Sequence, residues 1–145
     1  MTQPEIDRPD VQEKLISLHH ASAGDKWRIA RLMLRNLPRT LLGRKPAFLQ
    51  SHEAKALAYE DIYIPIDPDE GMILCAYCRS SQARHIIEFG SSFGISSIYL
   101  TAAVIDNGGG RFVGSELDPK KCNFVNDLFS ELGWSDSVEK ISFFL

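Results

Sequence analysis

Polar and apolar positions change their rhythm near residue 66. Before that point the apolar residues recur at helical spacing. Val11, Leu15 and Leu18 line one face behind Asp10, which predicts an N-cap, and Glu13 completes a capping-box pattern. The run from His19 to Gly24 ends this helix. A second helix is predicted from Asp25 to about Leu37, where Pro38 stops it. Residues 37–49 contain Pro38, Gly43 and Pro46 and read as an irregular connection. Residues 51–59 read as weakly helical and residues 62–66 as a short extended piece, with Pro65 arguing against a central strand.

From Asp67 the pattern becomes regular. Asp67 as N-cap, Pro68 at the first helical position and Glu70 at the third predict a helix to about Ser80. His85 to Phe89 shows no polar alternation before Glu88, which predicts a strand covered on both faces. Ile95 to Ile105 is apolar nearly all round, so that helix must be largely buried. Asn107-Gly108-Gly109-Gly110 ends it, and Arg111 to Ser115 follows as a second strand. Asp118 and Pro119 open another helix with a stripe of Cys122, Val125, Phe129 and Leu132, Leu128 alongside and Gly133 as its stop. A third strand is predicted from Val138 to Phe144. The order β-α-β-α-β with short loops implies parallel strands and right-handed crossovers. The expected class is α/β, with an N-terminal helical cap segment over 1–66 and a partial Rossmann-like domain over 67–145.

At 145 residues and 44% hydrophobic content the chain can build one domain with a real core. A net charge of −3 gives no overall pull toward nucleic acid, and none is expected as a partner. The N-terminus is polar and acidic, unlike a secretory signal, and no apolar stretch approaches the roughly 20 residues that cross a bilayer. Three cysteines, an odd number, argue for a reducing compartment, with the cytoplasm expected. Cys75 and Cys78 form a C-x-x-C without a second pair, inside a predicted apolar helix, and read as small core residues rather than as metal ligands. His19, His20 and His52 lack partners at catalytic spacing. Lys26 to Lys45 holds seven basic residues and no acid. It reads as a solvated face, with an anionic membrane or an acidic substrate as the alternative.

The candidate chemistry lies in two places. Ile86-Ile87-Glu88-Phe89-Gly90-Ser91-Ser92-Phe93-Gly94-Ile95-Ser96 carries an apolar strand through a small-residue loop into a helix. The unpaired N–H groups of such a helix start make an anion and polar-group site, and Gly90 and Gly94 let the backbone turn tightly and approach a ligand. Ser91, Ser92 and Ser96 add hydroxyls. Glu116 stands 22 residues beyond Gly94 at the end of the neighbouring strand, where a carboxylate can accept both hydroxyls of a ribose. The dinucleotide fingerprint needs a glycine where this chain has Ser92, which disfavours NAD.

This first motif, with Gly114-Ser115-Glu116-Leu117-Asp118 as the second and Pro68-Asp69-Glu70-Gly71 upstream, resembles the class I S-adenosylmethionine-dependent methyltransferases. Within them it looks most like the small-molecule O-methyltransferase branch of catechol and caffeoyl-CoA type. The resemblance covers about residues 60–140. It implies S-adenosylmethionine as cofactor and methyl transfer to a small-molecule acceptor, with oxygen as the expected nucleophile. By the same resemblance Glu88, Gly90 and Gly94 would shape the pocket of the methionine portion, with Ser91 and Ser92 in the same loop. Ser96 would bond the cofactor's amino-acid end, Glu116 the ribose and Leu117 the adenine, and Ile66 or Asp67 would cover the cofactor.

A typical member of that family continues past the third strand with an adenine-side Asp, further strands and the catalytic groups. Residues 138–145 depart from that pattern and stop. The expectation is therefore a C-terminally truncated first half of a doubly wound sheet, with no catalytic residue assigned and no metal. The first strand, with Ile86, Ile87 and Phe89, would be an uncovered edge, for which marginal stability, association of copies or rescue by a partner is expected. The alternative is an inactive remnant or nucleotide-binding module acting by association.

Overall fold

The computed structural model describes residues 3–51, 54, 58, 62–63 and 65–143. Among them helices and strands follow in the order α1 (Pro9–Ser22), α2 (Asp25–Leu41), α3 (Pro68–Ser80), β1 (His85–Phe89), α4 (Ile95–Asp106), β2 (Arg111–Glu116), α5 (Pro119–Glu131) and β3 (Val138–Phe143). Short 3-10 turns lie at Glu5–Asp7 and Ala47–Leu49. The strands form one parallel sheet in the order β1-β2-β3. His85 pairs with Arg111 through to Phe89 with Ser115. Phe112 pairs with Val138 and Glu116 with Phe143, with an irregularity between Val113 and Ser115.

Local chemistry accounts for most boundaries. Asp67 and Glu70 form a complete capping box at the start of α3, with Pro68 in the first turn. The Asp118 side chain accepts from the Lys120 N–H at the start of α5, and Gly133 takes a positive φ just past its end. Two boundaries differ from expectation. α1 starts at Pro9 and runs to Ser22, so Asp10 sits inside the first turn and pairs with Arg8 instead of capping. α2 continues through Pro38 to Leu41. Proline removes one hydrogen bond, but it lies in the last turn, where Leu42 N–H still reaches the Pro38 carbonyl at 3.2 Å and Thr40 Oγ1 reaches the Asn36 carbonyl at 3.1 Å. Of the weak helix expected over 51–59 only residues 51, 54 and 58 are described, the last two helical, and the described residues of 62–66 lie in neither helix nor strand.

Residues 1–19 and 65–145 form one compact unit and residues 20–64 another. The stretch expected to act as one cap is thus divided. Its leading residues are tied to the sheet-bearing unit by contacts a hundred residues apart. Glu5 N–H donates to Asp106 Oδ1 at 2.8 Å, Trp134 Nε1 to Glu5 Oε1 at 2.8 Å, and Arg8 to the Leu132 carbonyl at 3.2 Å. Ile6, Val11, Leu15 and Leu18 are buried there. In the second unit Asp25 is buried, accepting from Arg28 and from Tyr63 N–H at 2.7 Å, and the Asn36 side chain accepts from Ala47 N–H at 2.9 Å.

The core of the first unit lies between the sheet and the crossover helices. Phe112 is fully buried and meets Phe129 edge to face at 6.0 Å, and Phe129 packs in turn on Trp134. α4 is buried along most of its length, as expected. α3 packs against it so closely that a Cβ on Gly71 would lie 2.3 Å from the Tyr99 ring. Right-handed crossovers place α4 and α5 on the same side of the sheet. The other side of β1 is bare: Ile87 is 69% and Phe89 87% exposed. The expectation that both faces of β1 are covered is therefore corrected; its apolar run belongs to a strand covered on one face only. Among the described strands β1 also pairs on one side only.

If this core carries the unit, Phe112→Ala should cost about 3–5 kcal/mol, and Ile87→Ala well under half of that. Urea midpoints of the two variants test the contrast; equal losses would contradict the packing.

Candidate functional site

The carboxyl ends of β1 and β2 bring the two motifs together. β1 delivers Glu88 and Phe89 to a loop in which Gly90 and Gly94 take φ of +85° and +82°. Gly90 and Ser91 both donate backbone N–H groups to the Ser115 carbonyl, at 2.9 and 3.0 Å, which stitches the loop to the end of β2. A Cβ on Gly94 would come within 2.9 Å of Val125, so this glycine lets the start of α4 approach α5. At Gly90 nothing lies within 4 Å of an added Cβ, and its backbone faces open space. Ser92 also has a positive φ, +49°, which is costly for a residue with a side chain and persists only when its surroundings hold it.

Glu116 is what holds it. One carboxylate oxygen accepts from Ser92 N–H at 2.7 Å; the other accepts from Leu117 and Asp118 N–H at 2.7 and 3.1 Å. A single side chain therefore joins the loop after β1 to the loop after β2. Glu88 has a similar role at the end of β1. Its oxygens accept from the Ser96 hydroxyl at 2.6 Å and from the Ser97 hydroxyl, both in the first turn of α4. These are charge-assisted bonds, worth more than neutral ones. The hydroxyls of Ser91 and Ser92 are buried and have no hydrogen-bond partner among the described residues.

All eight candidate residues thus occupy neighbouring positions: Glu88 at the end of β1, Gly90, Ser91, Ser92 and Gly94 in its loop, Ser96 at the start of α4, Glu116 closing β2, and Leu117 after it, half exposed. Ile66 and Asp67 precede α3, where Asp67 is committed to its cap. Sequence reasoning missed Ser97, which is fully buried and shares Glu88 with Ser96. The signal was present, since two consecutive serines in a first helical turn can both face a strand-end acid. It also missed the wall beside the loop, where Phe93 meets Phe124 edge to face at 5.4 Å and the Lys121 ammonium lies 4.8 Å from the Phe93 ring centroid.

The known proteins that this chain is similar to are O-methyltransferases. No family model matches the chain. A catechol O-methyltransferase of Mycobacterium tuberculosis is 31% identical over 109 residues, covering 72% of this chain and 46% of the relative. The O-methyltransferase TomG of Streptomyces achromogenes, solved in complex with SAM, superposes with a TM-score of 0.50 at 28% identity, covering 76% of this chain and 49% of that one. Over this stretch the chain is similar to S-adenosylmethionine-dependent O-methyltransferases. An O-methyltransferase from Bacillus cereus, solved in complex with SAH, shares the α/β fold with a TM-score of 0.53 at 21% identity, over 88% of this chain and 52% of that one. The chain spans about half the length of the curated relative it matches.

Cys75 and Cys78 lie in α3, away from the two loops, whereas the Cys122 thiol at the start of α5 reaches the Glu116 carbonyl at 3.6 Å. Cys75, Cys78 and Cys122 are free and buried, and no cluster of three or more metal-ligating side chains occurs among the described residues. Burial pushes the Cys75 thiol up from 9.0 to about 11. A raised thiol pKa means the folded protein binds the proton more tightly than the unfolded chain. Its contribution is present below pH 9 and is lost as pH rises from about 9 to 11. Melting temperature should fall across that window, and Cys75→Ala should flatten the fall. An unchanged slope in Cys75→Ala would contradict a buried, protonated thiol.

Proposed function

We propose that this chain is the cofactor-binding portion of an S-adenosylmethionine-dependent methyltransferase acting on a small-molecule acceptor, with oxygen as the receiving atom. The observation that carries the reading is the junction of the two loops at Glu116, at the carboxyl ends of β1 and β2. The residues present fit such a ligand. The unpartnered hydroxyls of Ser91 and Ser92 and the open backbone at Gly90 offer polar groups and room on one side of the loop.

Each candidate residue takes a definite role in this reading. A carboxylate offers about four acceptor positions, and Glu116 already uses three. One ribose hydroxyl can join on Oε2 without rearrangement, whereas the second has to displace one of the three backbone donors. Ser96 donates its proton to Glu88 and so meets the cofactor's amino-acid end as an acceptor, suited to an ammonium. Leu117 supplies an apolar surface for the adenine. When bound, the cofactor supplies a methyl group on a sulfonium sulfur, and the protein's task is to position it and keep water away. The sheet topology corresponds to the first half of a doubly wound methyltransferase domain, with residues 20–64 as a separate helical segment. The buried, reduced cysteines suit a cytoplasmic setting.

The alternative, a module acting through association, draws on the bare face of β1 with Ile87 and Phe89. Calorimetry with S-adenosylhomocysteine separates the two. Saturable heat is expected, with affinity at least about tenfold weaker in Glu116→Gln, which keeps the size of the side chain but loses its charge. A folded sample that gives no heat, and sediments as an oligomer broken by Phe89→Asp, would instead favour association.

A further inference from the structure

α2 carries none of the candidate site residues and has an exposed surface of its own. Its inner side is set by Asp25 and Asn36, both buried, with Ile29 and Leu32 half-buried between them. At 3.6 residues per turn, Trp27, Leu34 and Leu41 fall on a single line along the opposite side. They are 82%, 69% and 79% exposed, and Met33, Leu37 and Leu42 are exposed near them. Arg28, Arg31, Arg35 and Arg39 form a second line beside the first, on one flank of the apolar stripe. Residues 26–45 hold seven basic residues and no acid, although the whole chain carries a net charge of −3, and Arg28 pairs with Asp25 just before the run.

We propose that α2 is an interfacial helix that docks on an anionic lipid bilayer. Its Trp-Leu stripe enters the headgroup–acyl boundary, and its arginine line sits among the lipid phosphates. No helix among the described residues is long and apolar enough to cross a membrane, so this contact lies on the surface. Charge complementarity selects the occupant. A second copy pairing through α2 would set Arg31, Arg35 and Arg39 against their counterparts, with no acid anywhere in residues 26–45 to meet them. A nucleic acid would satisfy the arginines and leave Leu34, Leu41 and Leu42 against water and phosphate. An anionic bilayer accepts a cationic line and an apolar stripe side by side in one plane.

The test uses the whole chain with vesicles of phosphatidylcholine mixed with phosphatidylserine, against vesicles of phosphatidylcholine alone. The chain has two tryptophans, and Trp134 is already buried, so insertion should be read from Trp27 as a blue shift of emission. The expected result is co-sedimentation and a blue shift with the anionic vesicles only, weakening as salt is raised. The double variant Arg31→Glu/Arg35→Glu should lose at least about tenfold in partitioning. Leu34→Asp should lose the blue shift while keeping the wild-type circular dichroism. Equal partitioning onto neutral vesicles, or no partitioning, would overturn the proposal. So would heparin retention unchanged in Leu34→Asp without vesicle binding, which assigns the face to a polyanion. A concentration-dependent dimer abolished by Leu34→Asp, again without vesicle binding, would assign it to a second copy.

Discussion

Glu116 is the constraint on which the rest of the site depends. Its carboxylate accepts three backbone N–H groups drawn from two loops, and so fixes the distance between the start of α4 and the start of α5. Those N–H groups lie where a helix start or a sharp turn leaves donors without partners of their own. The same bonds hold Ser92 in a left-handed conformation that a serine does not choose by itself. In the proposed function, structure and recognition therefore meet in one side chain: the group that organises the loops is also the one assigned to a ligand's hydroxyls.

The packing beneath explains why that junction can form. Gly94 lets α4 lie against Val125 of α5, and Phe112 and Phe129 close the space between helices and sheet. Glu88, held by Ser96 and Ser97, ties the end of β1 to the first turn of α4. The two acids divide the work: Glu88 joins a strand to its own helix, and Glu116 joins neighbouring βα units.

Much of this was legible from residue order alone. The caps at Asp67 and Asp118, the glycine loop and Gly133 are local signals, and local chemistry decides them. Legibility fails where distant contacts or neighbouring layers decide. Nothing in the pattern of residues 3–10 shows that Glu5 and Arg8 will meet Asp106, Trp134 and Leu132. The apolar run of β1 does not say whether one face or two will be covered, and Ile87 and Phe89 lie on the face that is not. Pro38 shows the converse failure, because a strong local rule is overridden in a last turn whose other bonds survive. At the site, residue order placed the acids and glycines. It could not show which donors each acid would bind, nor that Ser97 would join Ser96 on Glu88.

The most direct measurement is an amide NMR titration of the chain with S-adenosylhomocysteine. If Glu116 joins the two loops and receives the ribose, saturable shifts should centre on the Ser92, Leu117 and Asp118 amides, the three that donate to its carboxylate. Gly90 and Ser96 should follow, and β3 should stay nearly still. Shifts that never saturate, or that centre away from these two loops in a folded sample, would contradict the account.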